Sequence, residues 1–353
     1  MVPLDVATRV LAEFEFPPES QVALFRERGN INLDAFVVTA PDDSRAALLQ
    51  RINTEVFALP DRVLANMEAV LQVQARAALH PEWIIPTLIP ARGGASGVRE
   101  GKNVWRMMEL ITGVRSHKSL SVAPRPPSEV AREAARGLAR YLDATADLPA
   151  SAVRSSLPGY RDARLYLDQW HCALEGIRDA TDFLPEDPEV RSSVRPHYAV
   201  RLDPAQWVLR RTEVRPAADI VSRNETLLTL LSDARTEGRI TDRVIHGDTK
   251  LENFLFHEST GGVAALVDLD TIMPQTWLVD WGDMVRSLVN VAGEKTRDLN
   301  SVRVDETIYD ACVEGFLGEI RSATPVELEL MPLAPAAIAL ELGIRFLTDY
   351  LRG

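Results

Sequence analysis

Two short apolar runs, Ala35-Phe-Val-Val-Thr39 and Ala46-Ala-Leu-Leu-Gln-Arg-Ile52, flank the polar turn Pro41-Asp-Asp-Ser44, a pattern that predicts a β-hairpin. Pro60-Asp61 then opens a segment with apolar residues at Val63, Leu64, Met67, Val70 and Leu71, the spacing of one face of an α-helix with proline in its first turn. Glu68 sits at the edge of that face. Two further strands are expected at Trp83-Ile-Ile85 and over 104–111. The glycines from Gly93 to Gly101 read as a long hairpin loop, because no G-x-G-x-x-G pattern opens a helix there. From Gly113 onward the pattern turns helical: 129–142, 163–177, 224–237, 284–291, 306–320 and 335–351 all carry apolar faces at the helical period. One island over 244–270 breaks that run.

Composition adds exclusions. A chain of 353 residues is long enough for two lobes, and 46% apolar with 25% charged residues is the balance of a globular protein. The formal charge of −12 argues against a protein that coats nucleic acid, since phosphate backbones are met by clustered Lys and Arg. Cys172 and Cys312 are far apart in helical stretches, which speaks against a disulfide framework or a thiolate metal site and fits a reducing cytoplasm. No basic segment followed by an apolar run opens the chain, and no apolar stretch approaches the ~18 residues of a membrane span, so neither a secretion signal nor a membrane segment is expected.

The chemistry concentrates in the island. Arg243-Val-Ile245 approaches the polar cluster His246-Gly-Asp-Thr-Lys-Leu-Glu-Asn253, and Phe254-Leu-Phe256 with Val263-Ala-Ala-Leu-Val267 form a strand pair around Ser259-Thr-Gly-Gly262. The returning strand runs into Asp268-Leu-Asp270, so Asn253 and Asp268 are expected at the same end of the pair, and Asp248, Asn253, Asp268 and Asp270 should converge. Such carboxylates repel and lose hydration unless a cation joins them, and an all-oxygen set with few protein donors suits Mg²⁺. Asp248 is then the carboxylate held off the metal to take a proton. The spacing of Asp248 to Asn253 is that of a catalytic-loop Asp and a metal-binding Asn in phosphoryl transfer, with Lys250 within reach of a γ-phosphate. His246 reads as structural. Asp280-Trp-Gly282 mimics a metal-binding Asp-Phe-Gly but follows an irregular segment over 271–278, so Asp280 and Asp283 read as loop-fixing and helix-starting residues.

At these residues the chain resembles the aminoglycoside phosphotransferase/choline kinase superfamily. It is most similar to its N-acetylhexosamine 1-kinase branch through 246–253, Val267-Asp-Leu-Asp-Thr-Ile-Met-Pro274 and Val279-Asp-Trp-Gly-Asp-Met-Val-Arg286. Gly29-Asn-Ile-Asn32, Leu49-Gln-Arg-Ile-Asn-Thr-Glu-Val-Phe57, Trp105-Arg-Met-Met-Glu109, Leu157-Pro-Gly-Tyr160 and Arg345-Phe-Leu-Thr-Asp-Tyr350 agree with that branch. The resemblance implies an α+β, bilobal protein-kinase-like fold, with a small β-rich nucleotide-binding lobe over 1–112 and a larger helical catalytic lobe over 113–353. ATP and Mg²⁺ are the implied cofactors. It also implies adenine held by backbone groups at Met108, Glu109 and Leu110, and a phosphate-facing loop with Asn30 and Asn32. Arg51 takes the place of the usual kinase lysine, paired with Glu68. Asn253, Asp268 and Asp270 are the implied metal ligands, Asp248 and Lys250 the catalytic pair, and Arg345 a sugar contact. Two departures stand out: Leu33 separates the Asn-Ile-Asn unit from Asp34, and Gly247 stands where many members have Asn, a difference expected to be tolerated.

The expected activity is phosphorylation of the anomeric hydroxyl of a sugar or amino sugar. Alternatives are a kinase of another small alcohol, a metal-dependent phosphohydrolase, and a nucleotide-binding pseudokinase.

Overall fold

The hairpin expected from the first two apolar runs forms the centre of an antiparallel sheet. The structure, a computed structural model, describes residues 2–25, 31, 32, 34–77, 79–293 and 296–353. Helix α1 (Leu4–Leu11) precedes β1 (Gln21–Leu24), β2 (Ala35–Thr39) and β3 (Ala46–Ile52); α2 (Pro60–Gln74) follows, then β4 (Val98–Glu100) and β5 (Asn103–Glu109). The sheet order is β1-β2-β3-β5-β4. The glycine-rich stretch is therefore not one long loop: its end is β4, joined to β5 at Gly101 and Lys102. Trp83-Ile-Ile85 is not a strand either. Those residues run extended across the hairpin of the second lobe, with the Ile84 N–H donating to the Ala264 carbonyl at 2.7 Å.

Side-chain alternation decides what each face of this sheet meets. Leu49 lies opposite Met107 and Arg51 opposite Trp105 in the β3–β5 register, and Leu49, Met107 and Trp105 pack with Ala7, Val10, Leu11 and Phe14 from the N-terminal segment. The other parity, with Leu48 opposite Met108 and Gln50 opposite Arg106, faces the second lobe. The chain leaves this sheet at Glu109 and enters the next at β6 (Val114–Arg115), which pairs with the island hairpin.

The helical lobe follows with α3 (Pro127–Ala144), α4 (Ala163–Glu175), α5 (Pro188–Val194), α6 (Pro204–Glu213), α7 (Arg215–Arg223) and α8 (Glu225–Thr236). The island supplies β7 (Arg243–Ile245), β8 (Phe254–His257), β9 (Val263–Leu266) and β10 (Met273–Gln275), and the chain ends through α9 (Leu278–Val289), α10 (Glu306–Glu319), α11 (Pro325–Leu330) and α12 (Ala334–Arg352). The segment read as irregular over 271–278 thus contains β10, which pairs antiparallel with β7. Asp283 lies inside α9 and does not start it, because the helix begins at Leu278. The helices α5 and α6 open on Asp187-Pro188 and Asp203-Pro204, whose aspartates cap the following N–H groups. Their faces escape a periodicity search because α6 leaves Val208 and Leu209 exposed. Met67, Val70 and Leu71 of α2 pack into the core of this second lobe. Asn66 anchors the helix there by donating to the carbonyls of Arg154 (2.7 Å) and Ile272 (3.0 Å).

Candidate active site

Strand β7 delivers His246 to the centre of the molecule, where its ring is fully buried against the edge of Tyr141. The Asp248 N–H donates to His246 Nδ1 at 3.3 Å, which leaves the proton on Nε2 to donate to the Val267 carbonyl at 2.9 Å. The histidine therefore staples the loop to the end of the returning strand. Asp280, 0% exposed, holds the same loop from α9: its two oxygens accept the N–H groups of His246 (2.7 Å) and Gly247 (2.8 Å), and its carbonyl accepts the Thr249 hydroxyl at 2.6 Å. Burial pushes the Asp280 carboxyl up to about 6, against the pull of these partners.

The loop so fixed presents Asp248 half-buried. Lys250 Nζ donates to Asp248 Oδ2 at 2.7 Å, and Asn253 Nδ2 donates to the Asp248 carbonyl (2.7 Å) and to Oδ2 (3.2 Å). Burial works to lower the Lys250 ammonium, but the Asp248 carboxylate beside it leaves the amine above its ordinary value. Asn253 and Asp268 lie at the same end of the strand pair, as expected: the N–H of Val267, next to Asp268, donates to the Asn253 carbonyl at 2.9 Å. Asp268 adopts a left-handed conformation (φ 67°, ψ 57°), which only a well-determined surrounding holds a non-glycine residue in. The residue is exposed, and its carboxyl is pushed up first by the surrounding protein and then by the neighbouring Asp270. Among the described residues, neither the Asp268 carboxylate nor Asn253 Oδ1 has a hydrogen-bond donor.

Asp270 departs from the expected set. Its carboxylate pairs with Arg106 and accepts Asn32 Nδ2 at 2.6 Å, and its carbonyl accepts the Ser156 hydroxyl at 2.6 Å. Among the described residues no three His, Cys, Asp or Glu side chains form a metal cage, so the expected gathering of Asp248, Asp268 and Asp270 about one cation is replaced by a split. Asp268 is left open, and Asp270 is tied to the first lobe. The donor set still fits a magnesium ion, which uses one or two protein oxygens and completes its shell with water and phosphate.

On the first lobe, the pair expected between Arg51 and Glu68 does not form. Arg51 pairs with Asp34 and donates to Asn103 Oδ1 at 3.1 Å, while Glu68 accepts from Ser96 (2.9 Å) and Gln72 (3.3 Å) on the surface. The cause is strand parity: Arg51 shares the face of Leu49, turned away from Asp270, and its neighbour Gln50 takes the other face with Arg106. Sequence reasoning passed over Arg106. The signal was present, since one arginine in Val104-Trp-Arg-Met-Met108 needs a buried partner. Asn32 clasps the turn instead of facing outward, its Oδ1 accepting the Asn53 N–H at 2.9 Å. Asn30 lies outside the described residues. Met108, Glu109 and Leu110 stand where the chain crosses between lobes, and the N–H groups of Glu109 and Leu110 already donate to the carbonyls of Thr87 and Ala46, each at 2.9 Å.

A family model described as the phosphotransferase enzyme family matches residues 24–300, more than half of the chain. The chain belongs to this family. It is a small-molecule kinase. Solved structures similar to this phosphotransferase include a spectinomycin phosphotransferase in complex with ADP and spectinomycin, at 11% identity and a TM-score of 0.50, covering 99% of this chain and 89% of that one. The Plasmodium vivax ethanolamine kinase is similar at 12% identity and a TM-score of 0.49, with 95% and 75% covered. An aminoglycoside phosphotransferase from Alicyclobacillus acidocaldarius matches at 14% identity and 0.45, with 99% and 96% covered. What the first of these shares is the fold, a sheet-based first lobe over a helical second one. Among the described residues, no helix of the phosphotransferase is long and apolar enough to cross a membrane.

Behind the loop over 246–253 the phosphotransferase carries a buried ion network that the sequence did not disclose. Arg161, in a left-handed conformation (φ 61°), pairs with Asp283 at 2.7 Å and Glu341 at 3.5 Å, and Arg286 donates to Asp283 at 2.6 Å. The network joins the loop after Gly159 to α9 and α12. Burial alone would raise the Asp283 carboxyl, but the guanidinium groups of Arg161 and Arg286 hold it below its ordinary value. Burial, foremost, pushes the Tyr160 hydroxyl up, and the Arg161 guanidinium packs against its ring at 5.1 Å. The Arg345 guanidinium lies 5.1 Å from the Phe346 ring centroid.

The surroundings of Gly247 suit the glycine that stands there in place of Asn. Its φ is +83°, and a Cβ there would stand 2.5 Å from the Thr271 carbonyl oxygen and 2.8 Å from Met273 Cε. That carbonyl belongs to the turn that Thr271 itself ties to His246 (2.8 Å), so the backbone has little room to yield. Gly247→Ala and Gly247→Asn should each lose about 1–3 kcal/mol of stability through overpacking. Chemical denaturation would show it, and a variant as stable as the parent would refute the clash.

Proposed function

We propose that this phosphotransferase moves the γ-phosphoryl group of ATP to the anomeric hydroxyl of a sugar or amino sugar, giving a sugar 1-phosphate. The observation that carries phosphoryl transfer is the division of labour in the loop. Asp248 is held by Asn253 and Lys250, while among the described residues neither the Asp268 carboxylate nor Asn253 Oδ1 has a hydrogen-bond donor. The choice of the anomeric hydroxyl rests on the resemblance of 246–253, 267–274 and 279–286 to the N-acetylhexosamine 1-kinase branch. A nucleotide donor agrees with the ADP in the similar spectinomycin phosphotransferase.

Asp248 orients the acceptor hydroxyl and takes its proton as the new O–P bond forms and the bond to the departing ADP breaks. Lys250, which donates to the Asp248 carboxylate, would steady the transferred phosphoryl group. Asn253 and Asp268 would hold Mg²⁺, which neutralises charge on the phosphate oxygens. The crossing between lobes at Met108, Glu109 and Leu110 would seat the adenine. Arg345, by the same resemblance, would contact the acceptor.

A thermal-shift screen of sugars, amino sugars, aminoglycosides and amino alcohols with Mg·ATP, followed by phosphorus and carbon NMR of the products, tests the assignment. Phosphate on an anomeric carbon is the expected result. Phosphate on another oxygen would transfer the assignment to a different alcohol, and full-rate phosphate release without an acceptor would indicate a hydrolase.

A further inference from the structure

Arg106 has no role in the assignment above, yet it is a buried cation bound to the turn at Asp270. It projects from the middle of β5, 3% exposed, and donates from Nε (3.1 Å) and Nη2 (2.6 Å) to Gln50 Oε1 across the strand pair while Nη1 pairs with Asp270. The second Asp270 oxygen accepts Asn32 Nδ2, again from the first lobe. Both oxygens of Asp270 are thus engaged by donors of the first lobe, and its carbonyl is engaged by Ser156 of the second. The turn that ends at Asp270 begins at Asp268, whose left-handed backbone needs support from outside the turn. The buried charge of Asp270 already has its counter-ion in Arg106, so it needs no metal for compensation.

We propose that Arg106 is a positioning residue of the phosphotransferase: through Asp270 it fastens the first-lobe sheet to the Asp268–Asp270 turn and sets the Asp268 carboxylate toward the divalent cation. Asp270 is then an anchor and not a metal ligand. This rests on the assignment of Asn253 and Asp268 as the ligands. A planar guanidinium fork serves Gln50 and Asp270 at once, which an ammonium on a flexible stem does not.

The test is calorimetric binding of ATP at varied Mg²⁺, without acceptor, to the full chain, alongside thermal unfolding. Arg106→Met should weaken Mg²⁺-dependent ATP binding by about 10–100-fold, the usual cost of losing a residue that orients a metal ligand, and leave Mg²⁺-free binding nearly unmoved. Arg106→Lys should recover little of it. Because Arg106→Met strands a buried carboxylate and risks unfolding, the double variant Arg106→Met/Asp270→Leu is made as well. It should regain most of the lost thermal stability and still bind ATP in a Mg²⁺-dependent way, since Asp268 and Asn253 remain. Mg²⁺-dependent binding much weaker in the double variant than in Arg106→Met would make Asp270 a ligand and overturn the proposal. So would an equal loss of binding with and without Mg²⁺ in Arg106→Met, which marks direct phosphate contact, and so would no loss at all. An unsubstituted protein that binds no Mg·ATP would overturn the kinase mechanism and this proposal together; normal binding with an unmoved Arg106→Met would overturn this proposal alone.

Discussion

Asp248→Asn should lower turnover by about 10²–10⁴-fold, the range contributed by a positioned general base, while Mg·ATP affinity and folding stay close to those of the parent. The separation follows from the contacts. Asn253 keeps its 2.7 Å bond to the backbone carbonyl of residue 248 whatever the side chain, and an amide oxygen can still accept its 3.2 Å contact. Lys250 loses a partner of full charge, but both side chains are partly open to solvent, where such a pair is worth little to stability. The proton acceptor is what disappears. Steady-state kinetics with the acceptor identified by NMR, paired with calorimetric Mg·ATP binding, separates the two effects. Turnover near that of the parent would remove Asp248 from the role of base.

Asp280→Ala should be the most damaging single change to the loop's architecture, costing about 2–6 kcal/mol, because two buried N–H groups lose their acceptors at roughly 1–3 kcal/mol each. Those groups belong to His246 and Gly247, so the loop that carries Asp248 would lose its register as well as its stability. Asp280→Asn keeps one acceptor and should fall between the two. The same carboxyl makes a pH prediction. Burial holds its native pKa near about 6, against 3.8 for the unperturbed group, so between these values the unfolded chain has released a proton that the native chain keeps. Where the unfolded state binds fewer protons stability falls as pH rises, so this residue's contribution should decline from about pH 4 to about pH 6 and level off above. Denaturation of the parent and Asp280→Asn across that window checks it, because the amide has no proton to lose. A stability difference that stays constant with pH would contradict the shift.

The legible part of the fold was the part written in local periodicity. The hairpin at 35–52, the proline-started α2 and most of the long helices of the second lobe could be placed because each element's apolar spacing reports its own buried face. Strand β10 and the extended run at 83–85 could not, because a proline inside a three-residue strand and a short apolar run look alike in one dimension. In the site, the grouping of Asp248 with Asn253 and the arrival of Asp268 beside them followed from a single β-hairpin, a local object. The partners of Arg51, Arg106 and Asp270 did not. They depend on which parity of β3 and β5 faces the second lobe, and a shift of one residue reverses every side chain.

The sequence by itself therefore determined the order and type of the main elements, the polar loop at 246–253 and its position between short buried strands, because these rest on contacts between neighbours in the chain. Tertiary structure alone decided that Asp270 answers to Arg106 and Asn32, that Asp280, read as loop-fixing, does so by accepting the His246 and Gly247 N–H groups, and that Gly247 has no room for a side chain. The physical reason is common to all three. A buried charge or a missing Cβ takes its meaning from what is packed against it, and here those partners come from 33 to 238 positions away or from the facing turn.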